Sequence, residues 1–173
     1  MKKIELKLLA ELLNNSRRSD RDLAKSIGTS QPTVTRTRIR LEKEGYLKEY
    51  TVIPDFRKLG FELLALTLVK LRATLTPEEV ERIRRVSDEK LEKTRYDVLM
   101  LERGAGLGFD GVFFSLHKNY ASYNDFRNQL RQYSFFEPNI ESFLISLEDK
   151  VRHLPFSFKI LAKHLMKLEK SEQ

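Results

Sequence analysis

The chain has 173 residues, 33% of them charged and 40% hydrophobic, with a net charge of +7: enough apolar content for packed cores, too little for a membrane protein. No run approaches the ~18 consecutive apolar residues of a spanning helix, and charge at Lys2, Lys3 and Glu5 interrupts any signal-peptide core, so a cytoplasmic location is expected. Cysteine is absent, which excludes disulfide frameworks, thiolate zinc sites and cysteine nucleophiles; neither cofactor nor metal is expected.

The charge is unevenly placed. Residues 1–60 hold 14 Lys and Arg against 8 Asp and Glu, whereas residues 61–173 hold 18 against 17. A basic first third suits a phosphate-backbone partner, because each neutralised phosphate releases condensed counterions. A solvated basic surface with no partner is the alternative that charge alone leaves open.

Leu8, Leu9, Leu12 and Leu13 recur with the spacing of a helix that buries one stripe, stopping at Asn14-Asn15-Ser16. Ser19 and Asp22 spell a capping box, opening a short helix with Leu23, Ala24 and Ile27 that Gly28 closes. Ser30 then caps a third helix running to Gly45, with Pro32 tolerated in the first turn, where its missing N–H has no intrahelical partner. Two helices joined by a short glycine-containing turn make a helix-turn-helix, whose second helix enters the major groove. Tyr46 to Val52 alternates and is rich in β-formers, as the strand pair or wing closing such a domain would be. Residues 1–53 are thus expected to form a winged helix-turn-helix and residues 54–60 a linker.

From Phe61 the pattern changes. Leu64, Leu66 and Leu68 alternate with Ala65, Thr67 and Val69, a strand covered on both faces. Thr76, Pro77 and Glu79 supply an N-cap, a first-turn proline and an N3 glutamate for a helix carrying Val80, Ile83 and Val86. Strands follow at Tyr96–Glu102 and Gly111–His117, separated by the glycine-rich residues 104–108. A helix with Tyr123, Phe126 and Leu130 on one face comes next, then a strand with Phe143, Ile145 and Leu147. The order β-α-β-β-α-β over residues 61–150 predicts a ferredoxin-like sheet with both helices on one face, so the fold class is α+β. Phe113-Phe114 and Phe135-Phe136 supply more apolar surface than two helices hide, and an uncovered apolar sheet face predicts a homodimer. Residues 151–173 form a C-terminal extension with an amphipathic helix from Phe156 to Leu168.

Centring the buried face of the third helix on Val34 places Thr37, Arg38 and Leu41 beside it and Pro32, Thr33, Thr35, Arg36, Ile39 and Arg40 outward. Arg36 and Arg40 lie one turn apart, and arginine can bind guanine O6 and N7 bidentately, a contact worth roughly 1–3 kcal/mol of discrimination. Ser30, Gln31 and Thr33, at the helix N-terminus, can donate to phosphates or base edges, while Arg17, Arg18 and Arg21 flank the backbone. A solvated helix face is the bland alternative for these arginines.

Asn15-Ser16-Arg17-Arg18-Ser19, Leu23-Ala24, Gly28 to Arg36, Leu41 to Gly45 and Leu59-Gly60 resemble the Lrp/AsnC (feast/famine) family of transcriptional regulators, and the strand-helix order extends the resemblance to about residue 150. It implies a dimer, often assembled further into tetramers or octamers, that regulates transcription from double-stranded DNA and responds to an amino acid. Arg38 and Arg18 stand where the family usually has apolar residues, and Leu107 stands where it commonly has a glycine before Phe109-Asp110. Glycine backbone at Gly106 and Gly108 with the Asp110 carboxylate could hold a zwitterion; a flexible hairpin turn is the other reading.

Two rival functions remain at this level. Some haem-pathway decarboxylases resemble this family, but His117, His153 and His164 include no pair at metal-ligand spacing, and no serine-histidine-acid or Walker-type pattern is visible, so no catalytic residue is expected. An architectural protein binding DNA with little sequence preference and no effector is the second rival.

Overall fold

The computed structural model describes residues 1–72, 76–78, 80, 81, 84, 85, 96–148 and 156–171. Three helices come first: α1 (Lys3–Asn14), α2 (Asp20–Ile27) and α3 (Gln31–Lys43). The Ser19 hydroxyl accepts from Asp22 N at 3.2 Å and donates to the Asp22 carboxylate at 2.6 Å, fixing the start of α2. This bond, with Lys25 and Arg18 nearby, holds the Asp22 carboxyl below its ordinary range. Gly28 ends the helix in the left-handed region at φ 72°, which L side chains rarely adopt. Ser30 caps α3, accepting from Thr33 N at 3.4 Å. Leu8, Leu9, Leu12, Leu23, Ala24, Val34 and Leu41 close one core between the three helices.

The strand expected at Tyr46–Val52 forms no ladder among the described residues. Side chains tie the segment down instead. Leu47 packs on the helical core, and the Tyr50 hydroxyl donates to Glu42 Oε1 at 2.7 Å.

The second region is a four-stranded antiparallel sheet, β1 (Leu63–Val69), β2 (Asp97–Gly106), β3 (Phe109–His117) and β4 (Glu141–Ser146), in the spatial order β2-β3-β1-β4. This is the ferredoxin-like order. The helix expected after Thr76 is present at residues 77, 78, 80, 81, 84 and 85, with Val80 N donating to Thr76 O at 3.0 Å; Glu79, Ile83 and Val86 lie outside the described residues. α4 (Tyr120–Arg131) packs on β1 and β3. Beneath it, Phe113, Phe126 and Phe136 meet edge to face, with centroids 5.7 and 6.2 Å apart.

Two sequence expectations change here. Residues 104–106 extend β2 rather than forming a loop, and the hairpin turns on Leu107 and Gly108 alone, both at positive φ. Of the phenylalanine pairs, Phe113 and Phe136 belong to the core and Phe135 packs against it, because the alternation of β3 sends Phe113 to the helix side. The opposite face is built from Leu64, Leu66, Leu68, Met100, Phe114, Phe143 and Ile145, with Phe143 69% exposed.

α5 (Lys159–Ser171) packs along α1, and its Leu165 reaches the helical core. The chain accordingly divides into two compact units, Met1–Ile53 with the C-terminal segment, and the stretch between them. Ala10 and Ala162, both 2% exposed, are small enough to let the two helices approach closely.

Candidate nucleic-acid interface

α3 presents Gln31, Pro32, Arg36 and Ile39 to solvent, and Val34, Thr37 and Leu41 to the core, as its periodicity requires. Arg36 is exposed and makes no ion pair among the described residues, so its five donors face outward. At the helix start the Ser30 and Thr33 hydroxyls bond each other at 2.8 Å. Each keeps unused capacity beside the helix N-terminus, where a phosphate is favoured. Arg17 and Arg21 are exposed on the turn before α2 and on α2 itself; the Asn15 carboxamide fixes that turn by accepting from Arg17 N at 3.0 Å.

Three other arginines are committed inside the unit. Arg40, expected outward beside Arg36, is turned to α1, where it pairs with Glu5 and lies 3.9 Å from Glu44. Glu5 is 6% exposed and its second carboxylate oxygen accepts from Lys2 N at 2.7 Å, so the carboxylate joins the start of α1 to the end of α3. Arg18 pairs with Glu11, and Arg38 with Asp20. These pairings answer why arginine stands at positions 18 and 38, which the resemblance gave as apolar: each has an acidic partner from a neighbouring helix.

Asp20 also draws in Thr35, whose hydroxyl donates to Asp20 Oδ2 at 2.7 Å and lies 3.1 Å from Gln31 O. Arg38 lies over the Tyr50 ring, 5.8 Å from its centroid. Burial and the bond to Glu42 push the Tyr50 hydroxyl up to about 12, so it stays a protonated donor. Asp20, Glu5 and Tyr50 were not singled out from sequence, and Arg38 stood out only as a residue beside the buried face where the resemblance gave an apolar one. Their roles depend on partners 12 to 35 positions away, which no local periodicity signals.

The weakly indicated ligand residues belong to the other unit. Gly106 and Gly108 flank the hairpin tip with open space around them. The Asp110 carboxylate accepts from Leu71 N at 2.9 Å, securing the end of β1. His117 accepts or donates a 2.8 Å bond with Ser115, and both are buried, at 2% and 0% exposure, under Tyr123 and Phe126. This serine-histidine pair is closed to any substrate and belongs to the core.

The N-terminal residues 1–48 match the winged helix-turn-helix DNA-binding family. An uncharacterized HTH-type transcriptional regulator of Pyrococcus furiosus is 37% identical over 106 residues, covering 61% of this chain and 66% of that protein. The HTH-type transcriptional regulator LrpC of Bacillus subtilis is 35% identical over 81 residues, 47% of this chain and 54% of LrpC. This chain spans just under two thirds of the first curated relatives' own length. The solved LrpC structure superposes over 89% of this chain and 99% of its own with a TM-score of 0.69 at 21% identity. A transcriptional regulator of Neisseria meningitidis solved in complex with L-Met covers 95% of this chain and 99% of its own, with a TM-score of 0.76 at 17% identity. By sequence, residues 1–48 are a winged helix-turn-helix DNA-binding region, and the fold of the whole is similar to that of the solved LrpC regulator.

Proposed function

We propose that the protein is a sequence-specific DNA-binding transcriptional regulator that lays α3 in the major groove. The observation that carries this reading is the division among the arginines. Arg18, Arg38 and Arg40 are spent on Glu11, Asp20 and Glu5, whereas Arg36 stands exposed on α3 and Arg17 and Arg21 stand exposed before and on α2. An exposed arginine on a recognition helix with Gln31 one turn and a fraction before it is suited to base edges, and Arg17 and Arg21 to the flanking phosphates. The regulators of Pyrococcus furiosus and Bacillus subtilis to which the chain is similar bear names that agree with this role.

The protein acts as a homodimer in this reading, because the sheet face bearing Phe143, Ile145 and Met100 at 69%, 37% and 39% exposure is too apolar for a solvated surface. A two-fold dimer matches a pseudo-palindromic site with half-sites one helical turn or a multiple apart. Selection of bound sequences from a random DNA pool at physiological salt tests both claims. Enrichment of such a site supports them; binding without enrichment would instead make the protein architectural.

Modulation by an amino acid is a second element of the proposal, favoured by the L-Met bound to the fold neighbour of Neisseria meningitidis. On this chain one Asp110 oxygen already serves Leu71 N, so an ammonium group there would use the remaining acceptor sites of the carboxylate. DNA affinity measured with and without each L-amino acid decides it, and no change with any of them removes the effector.

A further inference from the structure

Gln31, Thr35 and Ile39 form one row on α3 at four-residue spacing, with Gln31 exposed, Ile39 56% exposed and Thr35 half-buried between them. Within that row Thr35 has a particular polarity. Its hydroxyl oxygen lies 2.7 Å from Asp20 Oδ2 and 3.1 Å from Gln31 O, and both neighbours are acceptors only. A hydroxyl carries one proton, and a carboxylate takes it in preference to a neutral carbonyl, because the charge-assisted bond is roughly twice as strong. Whatever approaches the oxygen from the exposed side must therefore donate. Asp20 is held in place for this by Arg38, whose guanidinium pairs with Oδ1 and leaves Oδ2 to Thr35; the two side chains are 18% and 22% exposed.

Resting on the major-groove reading above, we infer that Thr35 is a specificity-determining residue that accepts a hydrogen bond from an exocyclic amino group, adenine N6 or cytosine N4. Asp20 and Arg38 are its positioning residues. The major groove offers donors only at these two groups, since guanine O6 and N7 and thymine O4 accept. Thr35 thus discriminates amino from keto at one base of each half-site. Arg36, with donors alone, reads the opposite chemistry one residue further along.

The test is a thermodynamic cycle across the interface. Wild type and Thr35→Val are each used to select sites from a random pool, which identifies the base pair where the substitution changes preference. At that pair the amino group is removed by placing purine for adenine or pyrimidin-2-one for cytosine. The keto group is removed separately, with 5-methylpyrimidin-2-one for thymine or 2-aminopurine for guanine. Loss of the amino group should weaken wild type by about fivefold, the effect of one net hydrogen bond, and leave Thr35→Val unchanged. Loss of the keto group should affect both proteins equally. Thr35→Ser should restore the wild-type response, which also shows that the helix tolerates change at this position.

Asp20→Asn gives a readout that a merely structural role would not move. Arg38 retains the carboxamide oxygen, the amide nitrogen then donates to Thr35, and the hydroxyl proton is released to Gln31 O or to the groove, so the preference for the amino over the keto group should fall. A motif that Thr35→Val leaves unchanged, or a wild-type dependence on the keto group at the affected pair, overturns this inference alone. Binding of random DNA by wild type with no enriched motif overturns the sequence-specific reading and this inference together.

Discussion

The Glu5 carboxylate on α1 holds the Arg40 guanidinium on α3, with the glutamate side chain 8% exposed and the arginine 36%. An arginine that the helical wheel places beside Arg36 is therefore an internal strut. Removing the arginine takes the α3 partner from a nearly buried carboxylate that still accepts from Lys2 N. Arg40→Ala should lower unfolding free energy by about 1–3 kcal/mol, the range for orphaning a buried polar group, discounted from the full buried-pair cost because the arginine is partly solvated. Urea unfolding checks the stability change, and base preference in the selected site should stay as in wild type. An unchanged midpoint with loss of one base preference would return Arg40 to the DNA surface.

Arg36 and Arg17 separate the two kinds of DNA contact. Arg36→Ala should relax preference at one position of each half-site by roughly 1–3 kcal/mol if its contact is bidentate to guanine. Arg17→Ala should weaken all sequences alike and lower the slope of log K against log salt by about one unit. Titrations of specific and scrambled duplexes at several salt concentrations distinguish them. If Arg36→Ala alters neither affinity nor preference, α3 is not the recognition helix.

How much of this was legible in the sequence follows the range over which each cause acts. The caps at Ser19, Gly28 and Ser30 and the buried row Val34, Thr37 and Leu41 are set within one or two turns, and all stand where local pattern puts them. Leu6 and Ala10 are buried as fully as the Leu8 stripe, at 3% and 2% exposure. Their i, i+4 spacing was visible, but a second buried stripe needs a second partner, and α5 comes from the far end of the chain. The assignments of Arg36 and Arg40 diverge for the same reason. Both are arginines on polar-facing positions, and only the proximity of Glu5 removes one of them from the surface. At the hairpin, five glycine-rich residues read as a loop because glycine weakens strand propensity, whereas residues 104–106 belong to β2, with Gly106 paired to Phe109 beyond an irregularity in the ladder.

Burial lowers the pKa of His117 below its ordinary value of 6.5, with Asp97 acting weakly in the other direction. The folded protein thus keeps the imidazole neutral at a pH where the unfolded chain already binds a proton. Its contribution to stability is present in full above pH 6.5 and is lost as pH falls from there through the folded-state pKa. Unfolding free energy measured between pH 8 and pH 5 should decline below about 6.5, and His117→Gln, which preserves a polar partner for Ser115, should flatten that part of the profile. An identical slope in the variant would assign the acid sensitivity to other groups.

Leu107 occupies the left-handed region at φ 54° and is 89% exposed, so its side chain contributes little packing to offset the strain. With Gly108 at φ 81° it makes a two-residue hairpin loop having positive φ at both positions, the arrangement for which Asn-Gly is the favoured sequence. Leu107→Asn should therefore raise stability by about 0.5–1 kcal/mol, since asparagine enters this region at lower cost than leucine. The substitution leaves the paired residues Gly106 and Phe109 untouched, so a gain would be assigned to the turn alone. A loss of stability, or a fall in oligomer mass by sedimentation, would instead show that the exposed leucine side chain is covered in the assembled protein and that the strain at the tip is retained for that contact.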